Sequence, residues 1–303
     1  MSGSTPGRPA AQAGAILVTG ATGNVGREVC RRLEDVGVTV FAAVRSPKRI
    51  ADTADSAAGI HGAAPRRFDF TDPSSWEEAL DGVSRVFLVR PPHLSNVQRD
   101  LAPFLEFLAS REVRQIVFLS VQGAENNTIV PHHKIEDAID SLTIPRTFLR
   151  PSFFMQNLTT THLSEIRDEG RIFVPAGNGT TNFIDVRDIA EAAVVVLLED
   201  GHEGSAYTLT GRGNYTYYEV ADHLSRLLET EIVYEPAHLI PFIRYQLKSG
   251  RGIGHALVMY ALYSVTRLGR AGGATDDFES LVGRPARSLD EFIVDHRHIL
   301  RGS

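Results

Sequence analysis

The sequence has a single cysteine, Cys30, among 303 residues. No disulfide can form within the chain, and a cysteine-built metal cluster is excluded. Cys30 falls in the first helical pattern. There a small buried hydrophobe is the economical role and a redox thiol the alternative; the usage fits a reducing, cytoplasmic compartment. No apolar run reaches the ~18 residues of a membrane span, so no membrane partner is expected. There is no basic excess either. Net charge is −6, with Lys and Arg scattered, which speaks against nucleic acid. H-E-x-x-H, a Walker lysine motif and a G-x-S-x-G elbow are all missing. Asp295, His296 and His298 near the end are explained by a solvated terminal helix, so no metal is expected. Residues 1–14 are rich in Ser, Gly, Pro and Ala but lack the apolar segment of a signal peptide, and read as a disordered leader.

What is present is a core-forming composition, 43% hydrophobic and 22% charged. Strand and helix patterns alternate over the first half. Strands are expected at 15–19, 38–44, 66–70, 85–89, 115–120 and 146–150. Helices are expected at 24–36, after the Asp72-Pro73 start signal, at 94–110 with Pro103 tolerated inside, and at 132–141. In the first helix Val25, Val29, Leu33 and Val36 share a face. A βαβ series of this kind predicts an α/β fold, a Rossmann-type doubly wound parallel sheet. After Pro151 the alternation is lost. Short strands are read at 183–185, 206–209 and 232–234, and a helix at 186–199. From His238 the pattern is mostly helical, broken at Gly250–Gly254. The organisation expected is a dinucleotide-binding domain over 15–150. A smaller, mostly helical substrate lobe over 151–303 is partly interleaved with the sheet.

The stretch Ile16-Leu17-Val18-Thr19-Gly20-Ala21-Thr22-Gly23-Asn24-Val25-Gly26 carries the chemistry. An apolar strand runs into three glycines spaced three apart and then into a helix. That context suits a phosphate cradle, because glycines admit a pyrophosphate and a helix N-terminus offers free N–H groups and a positive dipole end. Asn24 and Val25 are expected to present their amides, and Gly26 to let helix and strand approach. Strand two ends in Arg45, followed by Ser46, Lys48 and Arg49, where an NAD site carries an acidic residue. A guanidinium suits a ribose 2′-phosphate, so NADP(H) is preferred over NAD(H); a solvated basic turn would leave the preference open. Asp69 and Phe70 follow strand three at the adenine corner, with Asp69 either an acceptor for the adenine amino group or a turn cap. Val89 ends strand four, whose backbone is expected to pass along the cofactor.

The chain resembles the NmrA-like, atypical short-chain dehydrogenase/reductase family, and is similar to its quinone and triphenylmethane-dye reductases. The resemblance rests on Val18–Gly26, Val44-Arg45, Asp69-Phe70, Phe118-Leu119-Ser120, His133-Lys134 with Glu136, and the run Leu149-Arg150-Pro151-Ser152-Phe153-Phe154-Met155-Gln156-Asn157. It continues through Phe183–Ala190 and Phe278–Pro285. It implies that Lys134 holds the nicotinamide ribose, that Ser120 faces the nicotinamide, and that Pro151 and Phe153 lie beside it with Phe154 as part of an apolar wall. Asn157 is expected one helical turn below the two phenylalanines, toward substrate or as a helix anchor. Many short-chain reductases use a Tyr-x-x-x-Lys pair in which tyrosine gives the proton. Here Val130 stands four residues before Lys134 and has no proton to give. His132 and His133 are the remaining donors, with exposed loop residues as the plain alternative. Phe242, Tyr245, Tyr260 and Tyr263 lie at helical spacing, as core or as the lining for a flat aromatic substrate.

The function these readings imply is an NADPH-dependent reductase passing hydride to a quinone-like or other conjugated aromatic molecule, with a homodimer left open. The alternatives are a non-catalytic NADP(H)-binding redox sensor and a non-redox isomerase or cyclase on the same fold.

Overall fold

A computed structural model of the chain describes residues 14–47, 60, 62–269, 271 and 273–302. The expected leader, apart from Gly14, and the basic residues Lys48 and Arg49 lie outside the described residues. Strand β1 (Ala15–Val18) is followed by helix α1 (Asn24–Asp35), β2 (Val40–Val44) and β3 (Ala64–Arg67). Val25, Val29, Cys30 and Leu33 form the buried face of α1. Val36 falls past the helix end and is 47% exposed, so it does not continue that face. Strand β3 ends before the expected 66–70 window closes. It is an edge strand in which Pro65 removes no needed donor. Phe68 and Phe70 lie beyond it, packed edge-on against each other and Phe104.

Asp72 accepts a hydrogen bond from the Ser74 amide and starts a 3-10 turn at Pro73, which leads into α2 (Trp76–Leu80) and β4 (Val83–Val89). The single helix expected over 94–110 is two: α3 (Val97–Asp100), capped by Asn96, and α4 (Ala102–Ala109). Pro103 stands in the first turn of α4, where its missing N–H costs nothing. It begins a helix rather than interrupting one. Then come β5 (Gln115–Leu119), α5 (Pro131–Asp140), β6 (Arg146–Leu149), β7 (Phe153–Phe154), α6 (Leu163–Glu169), β8 (Arg171–Val174), β9 (Thr180–Ile184) and α7 (Val186–Leu198). The remainder is β10 (Ala206–Tyr207), β11 (Asn214–Thr216), α8 (Tyr217–Leu228), β12 (Val233–Pro236), α9 (Leu239–Lys248), α10 (Ile253–Arg267), α11 (Asp277–Val282), α12 (Leu289–Asp295) and α13 (Arg297–Arg301).

The chain forms two compact units. The first takes the chain through Pro151, Val186–Thr208 and Ser280–Gly283; the second takes Ser152–Asp185, Leu209–Glu279 and Arg284 onward. In the first unit seven parallel strands run in the order β10-β6-β5-β4-β1-β2-β3, a Rossmann-type, doubly wound α/β sheet. The order reverses between β1 and β4, so the loops after these strands meet at the switch point. Alternate residues of a strand point to opposite faces. Ile116 and Phe118 of β5 join a core with Phe104, Ile135 and Phe148. Gln115, facing the other way, donates to the Val196 carbonyl of α7. Helix α7 packs on α1, with Arg32 and Glu191 paired at 3.2 Å. The one cysteine is fully buried, and burial pushes its thiol up to about 12.

In the second unit β11-β9-β7 form a small sheet and β12-β8 a pair. Asn182, fully buried, ties this unit's turns together. It donates to the carbonyls of Gly211 and Gly213 and accepts from the Gly211 amide at 2.6 Å and the Ser152 hydroxyl at 3.0 Å. Its core is aromatic: Tyr217, Tyr263, Phe242, Phe183 and Phe292 are almost wholly buried.

Candidate functional site

The glycine turn lies between β1 and α1, and each glycine has its own reason. Gly20 has φ +62°, a left-handed backbone that a side chain resists, and its missing Cβ leaves room for Val89 at 3.0 Å. A Cβ on Gly26 would lie 2.3 Å from the Gly20 carbonyl oxygen, so Gly26 permits the helix to sit against the turn. Gly23 is different. It is exposed, and a Cβ there would meet only the Gly20 oxygen, at 3.3 Å. Its bareness keeps the approach open from outside. Gly23 is the N-cap of α1 and supplies no side-chain cap. The first helical bond runs from the Arg27 amide to the Gly23 carbonyl. The amides of Asn24, Val25 and Gly26 are therefore left for an acceptor from outside the helix, beside exposed Thr22.

Thr19, absent from the sequence expectations, fixes this turn to the neighbouring strand. Its hydroxyl donates to the Val89 carbonyl at 3.1 Å and accepts the Val89 amide at 2.7 Å. The Val89 amide is thereby consumed, leaving that residue's side chain as the surface presented to Gly20. A threonine closing an apolar strand immediately before the first glycine was the available signal.

Arg45 ends β2. It is exposed and makes no hydrogen bond or ion pair among the described residues. Asp69 holds its own turn, accepting from the Thr71 amide at 2.9 Å and the Thr71 hydroxyl at 2.8 Å through Oδ1. Phe70 requires correction as a cofactor contact: its ring is buried in the sheet core, which leaves only its backbone for a ligand. Arg90, also unforeseen, follows Val89. Its Nη1 donates to the carbonyls of Pro91, Pro92 and Leu94, each at 3.0 Å. Its Nε is buried with no hydrogen-bond partner among the described residues, and burial lowers its affinity for the proton.

At the end of β5 lies Ser120, expected to face the nicotinamide. Its hydroxyl is buried and donates to Glu136 Oε1. Glu136 in turn takes a two-point contact from Arg150, Nε at 3.0 Å and Nη2 at 2.6 Å. Glu125 lies 3.3 Å from the same guanidinium, which these carboxylates hold in its charged form. The Ser120–Glu136–Arg150 chain clamps the ends of β5 and β6 to α5.

Helix α5 begins at Pro131 with Val130 as N-cap, so the valine occupies the end of the helix where a phenol would be needed. His133 is corrected as a free proton donor. Its Nδ1 bonds the Ala124 carbonyl at 2.9 Å, and its Nε2 lies 3.3 Å from Asp137, a contact that becomes an ion pair only with a protonated ring. His132 stacks on Phe118, and burial and the nearby Arg90 cation push its pKa down to about 4. It is neutral at pH 7. Lys134 is exposed and unpaired among the described residues, and with Ser95, Asn96, Val97 and Gln98 it lines a shallow surface cavity of about 370 Å³.

In the second unit, Pro151's neighbour segment differs from expectation. Phe153 and Phe154 form strand β7, paired with Phe183 and Ile184, and a 3-10 turn follows over Met155–Leu158. Asn157 is therefore not one helical turn below them. It sits half-buried in the 3-10 turn, its carbonyl accepting the His162 amide at 2.9 Å. Pro151 itself, at the end of the first unit, is buried, and its carbonyl accepts the Gln122 amide at 2.9 Å. Phe153 and Phe154 are half-buried; the first packs on Phe183 and Tyr263. Phe242 is corrected as a substrate contact, whereas Tyr245, the other one expected, is half-buried. Phe242 is wholly buried among Phe173, Tyr260 and Tyr263. Tyr245 donates to Glu169 at 2.6 Å and packs on Phe173. Tyr263 is held by His162, whose other nitrogen lies 3.2 Å from buried Glu165.

The described residues of the first unit thus offer a bare glycine, three free amides, an unpaired arginine at the end of β2 and an exposed lysine. This donor set fits a dinucleotide phosphate chain with a further phosphate at the ribose. No cluster of His, Cys, Asp or Glu able to hold a metal occurs among the described residues, and no helix there is long and apolar enough to cross a membrane.

Residues 12–274 match the model of the NmrA-like family. NAD(P)H azoreductase of Xenophilus azovorans is 32% identical over 287 residues, covering 93% of this chain and 97% of that protein. Prestalk A differentiation protein A of Dictyostelium discoideum is 30% identical over 277 residues, covering 91% and 90%. The crystal structure of Citrobacter sp. triphenylmethane reductase complexed with NADP(H) has a TM-score of 0.80 with 28% identity, covering 93% of this chain and 99% of that one.

Proposed function

The chain belongs to the NmrA-like family, and from that premise we propose that it is an NADPH-dependent reductase delivering hydride to a quinone-like or other conjugated aromatic molecule. The observation that carries this reading is the pairing of the open α1 N-terminus with Arg45, which has no partner among the described residues. The Asn24, Val25 and Gly26 amides would hold the pyrophosphate. Arg45 would take the ribose 2′-phosphate, a planar charge-assisted contact that NADH cannot make. Thr19 keeps the turn on β4, and Lys134 would donate to the nicotinamide ribose. The bound dinucleotide supplies hydride. The acceptor class is supported by relatives named for azo and triphenylmethane dyes.

It is also supported by what the site lacks. Val130 carries no acid, and His133 Nδ1 is bonded to the Ala124 carbonyl. An acceptor that takes hydride into a conjugated system and collects its proton from water needs no phenol, whereas a simple ketone does. The same valine favours the second reading, an NADP(H)-binding sensor without turnover.

Calorimetric titration with NADPH and NADH, followed by an oxidation assay at 340 nm against benzoquinone, an azo dye and a triphenylmethane dye, separates them. Arg45→Ala is expected to weaken NADPH about 10–100-fold, the worth of one or two charge-assisted phosphate contacts, and NADH by less than about threefold. Equal losses would remove the 2′-phosphate contact. NADPH binding with no oxidation by any acceptor would replace the reductase with the sensor, and no dinucleotide binding would end both.

A further inference from the structure

The second unit carries a surface unlike the rest of the chain. Between Glu235 and Asp276 lie forty residues without one Asp or Glu, and with five cations, Arg244, Lys248, Arg251, Arg267 and Arg270. All 37 acidic residues and the other 26 of the 31 basic ones lie outside this window, so the remainder of the chain is at −11. The window contains α9 and α10, which pack on each other and are joined through Gly250 at φ +78°.

Helix α10 is apolar on both sides. Ala256, Tyr263 and Thr266 face inward and are buried. The opposite half of the cylinder presents Ile253, Leu257, Val258 and Leu262, exposed by 48–61%, and among the residues of α10 the only full charge is Arg267 in the last turn. A helix that is apolar all round belongs under cover. Beside it, α9 exposes Ile240 at 70% and Leu247 at 45%, followed around the helix by Arg244 and Lys248. Both cations are exposed, and neither makes an ion pair among the described residues.

We propose that the α9–α10 hairpin is a docking face for an anionic bilayer surface. Exposed aliphatic side chains with unpaired cations along their edge are the arrangement by which an interfacial helix pair lies in a headgroup layer. The cations add attraction to anionic lipid, and neither helix contributes a carboxylate of its own, although Glu169 is hydrogen-bonded to Tyr245 of α9. A second copy is the other occupant the apolar stripe could take. Two-fold pairing through this face would bring Arg244 and Lys248 of both copies to one interface, because an isologous interface brings the same patch to both sides. The charge pattern therefore selects an anionic partner. The absence of a spanning helix does not bear on it, since surface docking needs no span.

The test is flotation of the full chain with phosphatidylcholine vesicles containing phosphatidylglycerol, against pure phosphatidylcholine, at low and high salt. Binding is expected on the anionic vesicles, at least about fivefold above the neutral ones, and reduced by salt. Leu257→Asp with Leu262→Asp should abolish it, and Arg244→Glu with Lys248→Glu should reduce it about fivefold or more. Circular dichroism melting of each variant confirms folding, and the exposed charge reversals keep the test alive should the aspartates unfold the hairpin. No flotation on anionic vesicles, equal flotation on neutral ones, or a dimer by light scattering that the same substitutions dissociate would each overturn the proposal.

Discussion

The two units use their polar and aromatic groups in opposite ways. In the first, the groups at the candidate site are left unspent. The α1 amides, Arg45 and Lys134 have no protein partner among the described residues, and the glycine between them is bare. In the second, the residues that look most like a substrate lining are already engaged. Phe242 is wholly buried, Tyr245 is bound to Glu169, and Tyr263 is bound to His162. A ligand group is recognised by what it still lacks. Aromatic content alone says how well a unit packs.

The sharpest way to break this contrast is Phe242→Ala. As a core residue it should cost about 3–5 kcal/mol of stability, read by urea unfolding, while the KM for the acceptor stays where it was. Unchanged stability with a raised KM would move Phe242 from the core to the substrate. A smaller effect tests the first unit. His132 titrates near 4 when folded, against an ordinary value of 6.5. The unfolded chain takes the proton first, so this histidine's contribution is complete above pH 6.5 and is lost as pH falls toward 4. His132→Phe, which keeps the stack on Phe118, should remove about 2–3 kcal/mol of the stability lost between pH 6.5 and 4.5. An unaltered pH profile would mean the ring is solvated. The smallest effect belongs to Tyr245→Phe. Losing its half-exposed hydrogen bond should cost about 1 kcal/mol or less, with kcat/KM within about twofold of the parent. A large fall in kcat/KM would return this tyrosine to the site.

What the sequence made legible follows the same division. Strand β1, the three glycines and the capping of Pro73 by Asp72 are governed by backbone rules acting over a few residues. They can be read where they stand. Thr19 was within reach by the same logic, as the last strand residue before Gly20. Ser120 was not. Its partners Glu136 and Arg150 lie 16 and 30 residues away, and only the parallel register of β5 and β6 brings them together. Strand β7 has two residues, too few for a period to show, so Phe153 and Phe154 read as the approach to a helix. For Phe242 the pattern was real and its meaning was not in it. A helical stripe of aromatic residues is the same whether its neighbour is a core or a ligand. Pro103 erred for a different reason, since a proline that opens one helix resembles one that interrupts a longer one.

The packing of α1 against α7 has a consequence for how this protein is made. Helix α1 leaves the ribosome early, but the helix that covers it begins about 150 residues later, after segments of the other unit have been synthesised. At bacterial or eukaryotic elongation rates that interval is ~10–30 s. Through it, the side of α1 that packs on α7 stays uncovered, while its contacts with β1 and β2 are already available. The order of the chain thus makes the covering of α1 by α7 a late step, one that waits for segments of the other unit to leave the ribosome.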